Sequence, residues 1–88
     1  MLRIERSHTG EAFEGLKLEG QVIGPWVEEV RRLSEEILAS GAALSLDLSA
    51  VAFIDRGGIE LLRALKERRG VVLKSSGFAA EQLKSSER

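Results

Sequence analysis

The sequence predicts an α/β domain in which a mostly parallel sheet carries helices mainly on one face. Short apolar segments typical of strands alternate along the chain with segments whose apolar residues recur every three or four positions. The predicted order is strand, strand, helix, strand, helix, strand, helix. Its two strand-helix-strand connections require parallel neighbouring strands. Because the chain has 88 residues, we expect one domain over residues 1–88.

The N-terminal part of the chain predicts two paired strands. Residues 2–5 alternate apolar and charged side chains, and the polar residues 7–10 then interrupt this pattern. A second alternation follows over residues 13–20. The two segments are close enough in sequence to form a hairpin.

A first helix is predicted from Gly24-Pro25 to about Ala39. Proline suits the first helical position because its missing amide hydrogen would have no acceptor within the helix. Gly41 can adopt the left-handed conformation that ends a helix. The apolar residues at helical spacing are Trp26, Val27, Val30, Leu33, Ile37 and Leu38.

The remaining elements lie in the C-terminal half of the chain. Residues 42–48 and 51–54, with a turn-prone Ser49-Ala50 between them, predict a central strand covered on both sides. Apolar spacing from Ile59 to Leu65 predicts a second helix that stops at Gly70. Residues 71–73 predict a short buried strand, and residues 75–83 predict a short third helix.

Composition argues against several classes of function. The chain has 13 Lys and Arg against 14 Asp and Glu, interspersed along the sequence, so no basic surface is expected to attract nucleic acid. No apolar run is long enough for a membrane helix, and the charged N-terminus does not resemble a signal peptide. We therefore expect a cytoplasmic protein without direct membrane insertion.

Catalytic and metal-binding side chains are scarce. The chain has no Cys and one His, His8, in the predicted hairpin turn. These residues cannot assemble a catalytic triad or a typical metal-ligand set. We expect no enzymatic activity, no metal and no cofactor.

Residues 46–62, LDLSAVAFIDRGGIELL, resemble the signature of STAS domains, the family of bacterial anti-sigma factor antagonists. Residues 16–20 and 71–73, with Phe78 and Leu83 after them, fall where that family has further strands and a helix. The resemblance implies a STAS-like sandwich and a regulatory role through binding a protein. The implied partner is a kinase-like anti-sigma factor or, alternatively, the ATPase of a lipid transporter.

The loop that carries this resemblance departs from the family. The family has Asp-Ser-Ser-Gly, whose second serine is phosphorylated to switch partner binding off. This chain has Asp55, Arg56, Gly57 and Gly58, so the acceptor position is Gly57. No Ser, Thr, Tyr or His lies between Ser49 and Ser75. We expect no serine switch here.

We expect the chain to dock onto its partner through this loop and the second helix, but each residue of this partner-binding loop also has a simpler interpretation. Asp55 is expected to cap the second helix. Arg56 opposes the helix dipole, so it is either solvated or contacts an acidic partner surface. The amides of Gly57 and Gly58 leave nucleotide or anion sensing open as an alternative function. A structural remnant is a third possibility.

A basic row on the second helix extends this site. Arg63, Lys66 and Arg69 recur at spacing three and predict contact with an acidic groove of the partner. Trp26 is expected to pack in the core, although an exposed Trp would suit a binding site. STAS domains usually continue into a fifth strand and a last helix, and we expect both to be missing here. We therefore expect a homodimer or an obligate partner, because apolar surface would otherwise be exposed.

Overall fold

The computed structural model of the chain describes residues 2–8 and 12–74. Its elements, in chain order, are β1 (Leu2–His8), β2 (Phe13–Val22), α1 (Pro25–Ala39), β3 (Ala43–Ile54), α2 (Arg56–Lys66) and β4 (Val71–Lys74). The first six predicted elements and their order are confirmed. The predicted third helix lies outside the described residues.

The four strands form one sheet in the order β1-β2-β3-β4. β1 pairs with β2 in antiparallel orientation, whereas the β2/β3 and β3/β4 pairs are parallel. The two parallel pairs follow from the crossovers through α1 and α2, each of which returns the chain to the same end of the sheet. The predicted α/β class with a mostly parallel sheet is therefore confirmed.

β3 differs from its prediction in two respects. It is one continuous strand of 12 residues, and Ser49-Ala50 does not interrupt it. Its pairing with β2 instead shifts register after Lys17 and after Gly20, so irregular pairing accommodates the turn-prone residues within the strand. The expected cover on both sides was wrong for the described part of the chain. Leucines at alternate positions are buried, while Ser45 and Asp47 between them are only half-buried.

The core lies between the sheet and the two helices. Its buried apolar side chains are Leu2, Leu16, Leu18, Val22, Val27, Val30, Ile37, Leu44, Leu46, Leu48, Val51, Ile54, Leu61, Leu62 and Leu65. Trp26 is half-buried and packs against this core, as expected. None of the helices in residues 2–8 and 12–74 is long and apolar enough to cross a membrane.

Ser34 of α1 is a polar defect in the core. Its side chain is fully buried, and its hydroxyl has no hydrogen-bond partner among the described residues. Burying an unpaired hydroxyl is unfavourable, and alanine also has a higher helix propensity than serine. We expect Ser34→Ala to raise the free energy of unfolding by about 1 kcal/mol, as measured by urea denaturation.

Ser40 provides the matched control for this substitution. Its hydroxyl donates a hydrogen bond to the Ile37 carbonyl oxygen at 2.7 Å, so Ser40→Ala removes a satisfied contact. This variant should be no more stable than the wild type. A Ser34→Ala protein less stable than the wild type would contradict the unpaired state of the Ser34 hydroxyl.

Candidate functional site

The four residues of the predicted partner-binding loop lie where β3 ends and α2 begins. The sequence predicted a loop that precedes a helix beginning near Ile59, but α2 begins at Arg56. Arg56, Gly57 and Gly58 therefore form the first turn of the helix. The reason is that Asp55 already caps the helix, so the two glycines follow as helical residues. We call Asp55 and this turn the 55–58 segment.

Asp55 joins the beginnings of the two helices. Its Oδ1 accepts a hydrogen bond from the Gly58 amide at 2.8 Å, which confirms the predicted N-cap. Its Oδ2 accepts a second one at 2.9 Å from the amide of Gly24, the residue that precedes α1. The Asp55 amide also donates to the Val22 carbonyl oxygen at 3.1 Å. One carboxylate thus fixes the 55–58 segment relative to both helices.

The two amide donors perturb the acidity of this carboxyl group. The hydrogen bonds from Gly24 and Gly58 favour the ionised form and lower the pKa of Asp55 below its ordinary value. The sequence did not reveal the Gly24 contact, because the two residues are 31 positions apart. The only signal was Gly24 itself, the glycine immediately before Pro25. Its φ is positive, at 54°.

Gly57 and Gly58 occupy different environments. Gly58 is buried, and a Cβ atom there would lie 2.7 Å from both the Val22 carbonyl oxygen and Ile54 Cγ2. Gly57 is exposed, and a Cβ atom there would meet Asp55 Oδ1 at 3.7 Å, an ordinary contact distance. Packing therefore requires glycine at position 58, whereas position 57 has room for a side chain.

Arg56 projects into solvent from the first turn of α2. Its side chain is 94% exposed, and its Nε lies 3.9 Å from Glu60 Oε2, at the outer limit of an ion pair. Arg56 is therefore solvated and lies near an acidic group of its own helix, whereas its contact with an acidic partner surface stays a prediction. Such a weakly held, exposed guanidinium is available to another molecule.

A shallow cleft of about 490 Å³ lies beside the 55–58 segment. Its apolar part includes Phe53, whose 45% exposure is unusual for so large an apolar side chain. The lining residues are Phe53, Ile54, Asp55, Arg56, Ile59, Glu60 and Arg63. The cleft thus combines an exposed aromatic ring with charged groups of both signs. This combination of side chains suits contact with the surface of another protein.

Solved structures with the same architecture identify the fold. An anti-sigma factor antagonist from Mycobacterium paratuberculosis superposes with a TM-score of 0.72 at 20% identity, over 93% of this chain and 74% of that one. The anti-sigma factor antagonist SpoIIAA in its unphosphorylated form gives 0.74 at 18% identity, over 96% and 80%. An uncharacterized protein with a SpoIIAA-like fold from Shewanella loihica gives 0.60 at 15% identity, over 97% and 75%.

The chain has the SpoIIAA-like fold. The resemblance found in residues 46–62 is therefore confirmed at the level of the fold. No protein-family model matches the sequence, and no curated protein matches it.

The predicted basic row does not form a single face in this SpoIIAA-like fold. Arg63 is half-buried and lines the cleft, and Lys66 is the last residue of α2. Arg69 lies beyond the helix, because the chain turns after Glu67 and reaches Gly70, which has a φ of 81°. Arg69 lines a separate hollow beside Gly41, at the end of α1. The expected row was wrong for Arg69, and only Arg63 belongs to the cleft.

The beginning of α2 gives little support to the anion-sensing alternative. The Gly58 amide already donates to Asp55, and a carboxylate at this position repels an anion. His8 lies at the exposed end of β1, remote in the sheet from the 55–58 segment. Within residues 2–8 and 12–74, no group of three or more His, Cys, Asp or Glu side chains could hold a metal ion.

Proposed function

We propose that this chain is a non-catalytic, protein-binding regulatory module of the anti-sigma factor antagonist type, acting in the bacterial cytoplasm. The observation that carries the proposal is that exposed Phe53, near the end of β3, and exposed Arg56, at the beginning of α2, line the same cleft. Two solved structures that share the fold are described as anti-sigma factor antagonists, which supports the same class of role here.

The cleft has the properties of a small protein-binding site. Aromatic and Arg side chains contribute more to protein interfaces than other residue types, and they act best where water is excluded around them. Phe53 provides an apolar anchor, and Arg56 provides a cation that a carboxylate of the partner can approach. Arg63 lies along the same cleft. We infer that the partner presents an apolar side chain flanked by acidic groups.

Control of binding through serine phosphorylation has no acceptor in this site. Gly57 occupies the acceptor position implied by the STAS resemblance, and the rest of the 55–58 segment contains no hydroxyl group. Position 57 nevertheless has room for a side chain, so steric exclusion does not account for the glycine. We propose that serine phosphorylation does not switch binding on or off here. The amount of partner or of this chain controls binding instead.

The test is capture of the partner from lysate of the native organism, with identification by mass spectrometry. We expect the wild type to recover a kinase-like anti-sigma factor, and Arg56→Glu to bind that purified partner at least 10-fold more weakly in calorimetry. Reversal of an exposed charge near a partner's acidic groups produces such a loss. Recovery of a transporter ATPase would instead assign the module to a lipid transporter.

Arg31→Glu is the matched control for this experiment. Arg31 lies on the exposed face of α1, where it pairs with Glu28 at 3.3 Å, and it does not line the cleft. This variant should bind as well as the wild type. Equal affinity of Arg56→Glu and the wild type would place the interface elsewhere. Heat released on adding a nucleotide to the chain alone would favour ligand sensing.

A further inference from the structure

Both helices pack on the same face of the sheet. No described residue covers the other face, which we call the open face. The strand register aligns four charged residues across this open face, one from each strand: Glu5, Lys17, Asp47 and Lys74. They line one broad, shallow hollow of about 530 Å³. Three of the four are exposed, and Asp47 is half-buried. The open face therefore carries a transverse row in which negative and positive charges alternate.

The central carboxylate of this row is held in place and ionised. The Asp47 Oδ1 accepts hydrogen bonds from the amide and the hydroxyl of Ser49, at 3.0 Å and 2.7 Å. These bonds, together with nearby Lys74 and Lys17, lower the pKa of Asp47 below its ordinary value. The alternation of charge in the row therefore persists at neutral pH.

The alternating row is complementary to itself. A two-fold axis can run parallel to the strands, in front of the open face and midway between β2 and β3. This axis places a second copy of the sheet face to face with the first, with β4 of the second copy opposite β1 and its β3 opposite β2. Glu5 then faces Lys74 of the second copy, and Lys17 faces Asp47 of the second copy. All four contacts join opposite charges, and a two-fold axis makes each contact twice.

The neighbouring rows show a matching alternation of size. The register places Phe13 beside Ala43 in one row, and Ser7, Gly15, Ser45 and Val72 in the next. Phe13 is 40% exposed and Val72 is 50% exposed, which makes them two of the large apolar side chains that the core leaves uncovered. Under the same two-fold axis, Phe13 faces Ala43 and Val72 faces Ser7 of the second copy, so large residues oppose small ones. The small residues Ser45 and Gly15 face each other.

From this complementarity of charge and size we propose that the open face binds a second copy of this chain, forming a two-fold symmetric dimer. The sheets pack face to face in the aligned manner of a β-sandwich, with the helices outside. Because the axis runs parallel to the strands, both 55–58 segments lie at the same end of the dimer. The proposal does not depend on the proposed function, which involves a different surface.

The dimer should be weak. The open face is four strands wide, roughly 15–20 Å at the usual strand spacing, so the contact area is at the lower end for specific interfaces. Its charged row is exposed in the monomer and contributes to orientation and specificity more than to affinity. We expect a dissociation constant on the order of micromolar.

Sedimentation equilibrium of the full chain over a range of concentrations tests the proposal. The wild type should change from monomer to dimer as its concentration rises. Lys17→Glu brings two carboxylates together at each central contact, and Asp47→Lys brings two ammonium groups together there. Each variant alone should dimerise at least 10-fold more weakly than the wild type, while their equimolar mixture should form a heterodimer with restored opposite charges.

Recovery in the mixture distinguishes an interface from a loss of folding, because two unfolded variants would not restore each other. Circular dichroism checks the fold of each variant, and Arg31→Glu on α1 serves as a charge-reversal control that should dimerise normally. A wild type that remains monomeric at all concentrations would overturn the proposal without reference to any variant, and would leave the open face for a different protein. Dimerisation unaffected by either substitution would also overturn it.

Discussion

Substitution of Gly58 by alanine is expected to lower the free energy of unfolding by about 1–3 kcal/mol. The added Cβ would lie 2.7 Å from the Val22 carbonyl oxygen, closer than van der Waals contact allows. The neighbouring backbone atoms belong to β2, so relief requires α2 to move away from the end of the sheet. Urea denaturation of the purified variant measures the effect.

Gly57→Ala is the matched control one residue earlier in the same helical turn. Its Cβ would meet nothing closer than 3.7 Å, and alanine replaces the more flexible glycine. The free energy of unfolding of this variant should equal that of the wild type or exceed it by up to about 1 kcal/mol. Equal destabilisation by the two substitutions would show that the close packing of Gly58 does not determine how α2 begins.

Substitution of Asp55 by alanine is expected to lower the free energy of unfolding by about 1–2 kcal/mol, the usual range for loss of a helix cap. The substitution removes the acceptor for the Gly58 amide and also the acceptor for the Gly24 amide. Because the Gly24 amide lies at the residue that precedes α1, we expect Asp55→Ala to release the beginning of α1 as well. Amide hydrogen exchange at Gly24 and Gly58 should become faster in the variant.

The same carboxylate makes stability dependent on pH. Folding lowers the pKa of Asp55, so its contribution is fully present above the pKa of the unfolded chain, about 3.9 for an aspartate. The contribution is lost as the pH falls through the folded-state pKa. The wild type should therefore lose more stability between pH 5 and about pH 2 than Asp55→Asn does. Parallel pH profiles of the two proteins would contradict the assigned hydrogen bonds.

The helices and strands were predictable from the sequence because each is marked by residues close together in the chain. Pro25 at the first position of α1 and the alternation over residues 2–5 depend only on neighbours in the sequence. The cap of α2 by Asp55 was predictable for the same reason, since its acceptor and the Gly58 amide are three residues apart. The parallel sheet followed from the order of these elements.

Features that depend on contacts between distant segments were not predictable. The hydrogen bond from Gly24 to Asp55 joins the ends of β2 and β3, and no pattern in either segment indicates it. β3 looked like a doubly covered strand because its leucines are so prominent, yet the alternate residues Ser45 and Asp47 lie on the open face. The end of α2 at Lys66 likewise removed Arg69 from the predicted basic row.

The sequence indicated where in the chain the candidate site lies but not its geometry, and its role in partner binding stays a prediction. The sequence indicated the 55–58 segment through its departure from the STAS pattern. It gave no sign that Phe53, the residue two positions before Asp55, would be exposed in a strand whose other large apolar residues are buried. Strand residues alternate between faces only while the pairing is regular, and the register shifts near Gly20 alter that alternation along β3.

The most direct test of the proposed docking site is chemical-shift mapping of the ¹⁵N-labelled chain during titration with its purified partner. We expect the largest amide shifts at Phe53, Arg56 and Ile59, with little change at Lys17 and Asp47 on the open face. Shifts confined to the open face, or to the exposed side of α1, would contradict docking through the 55–58 segment.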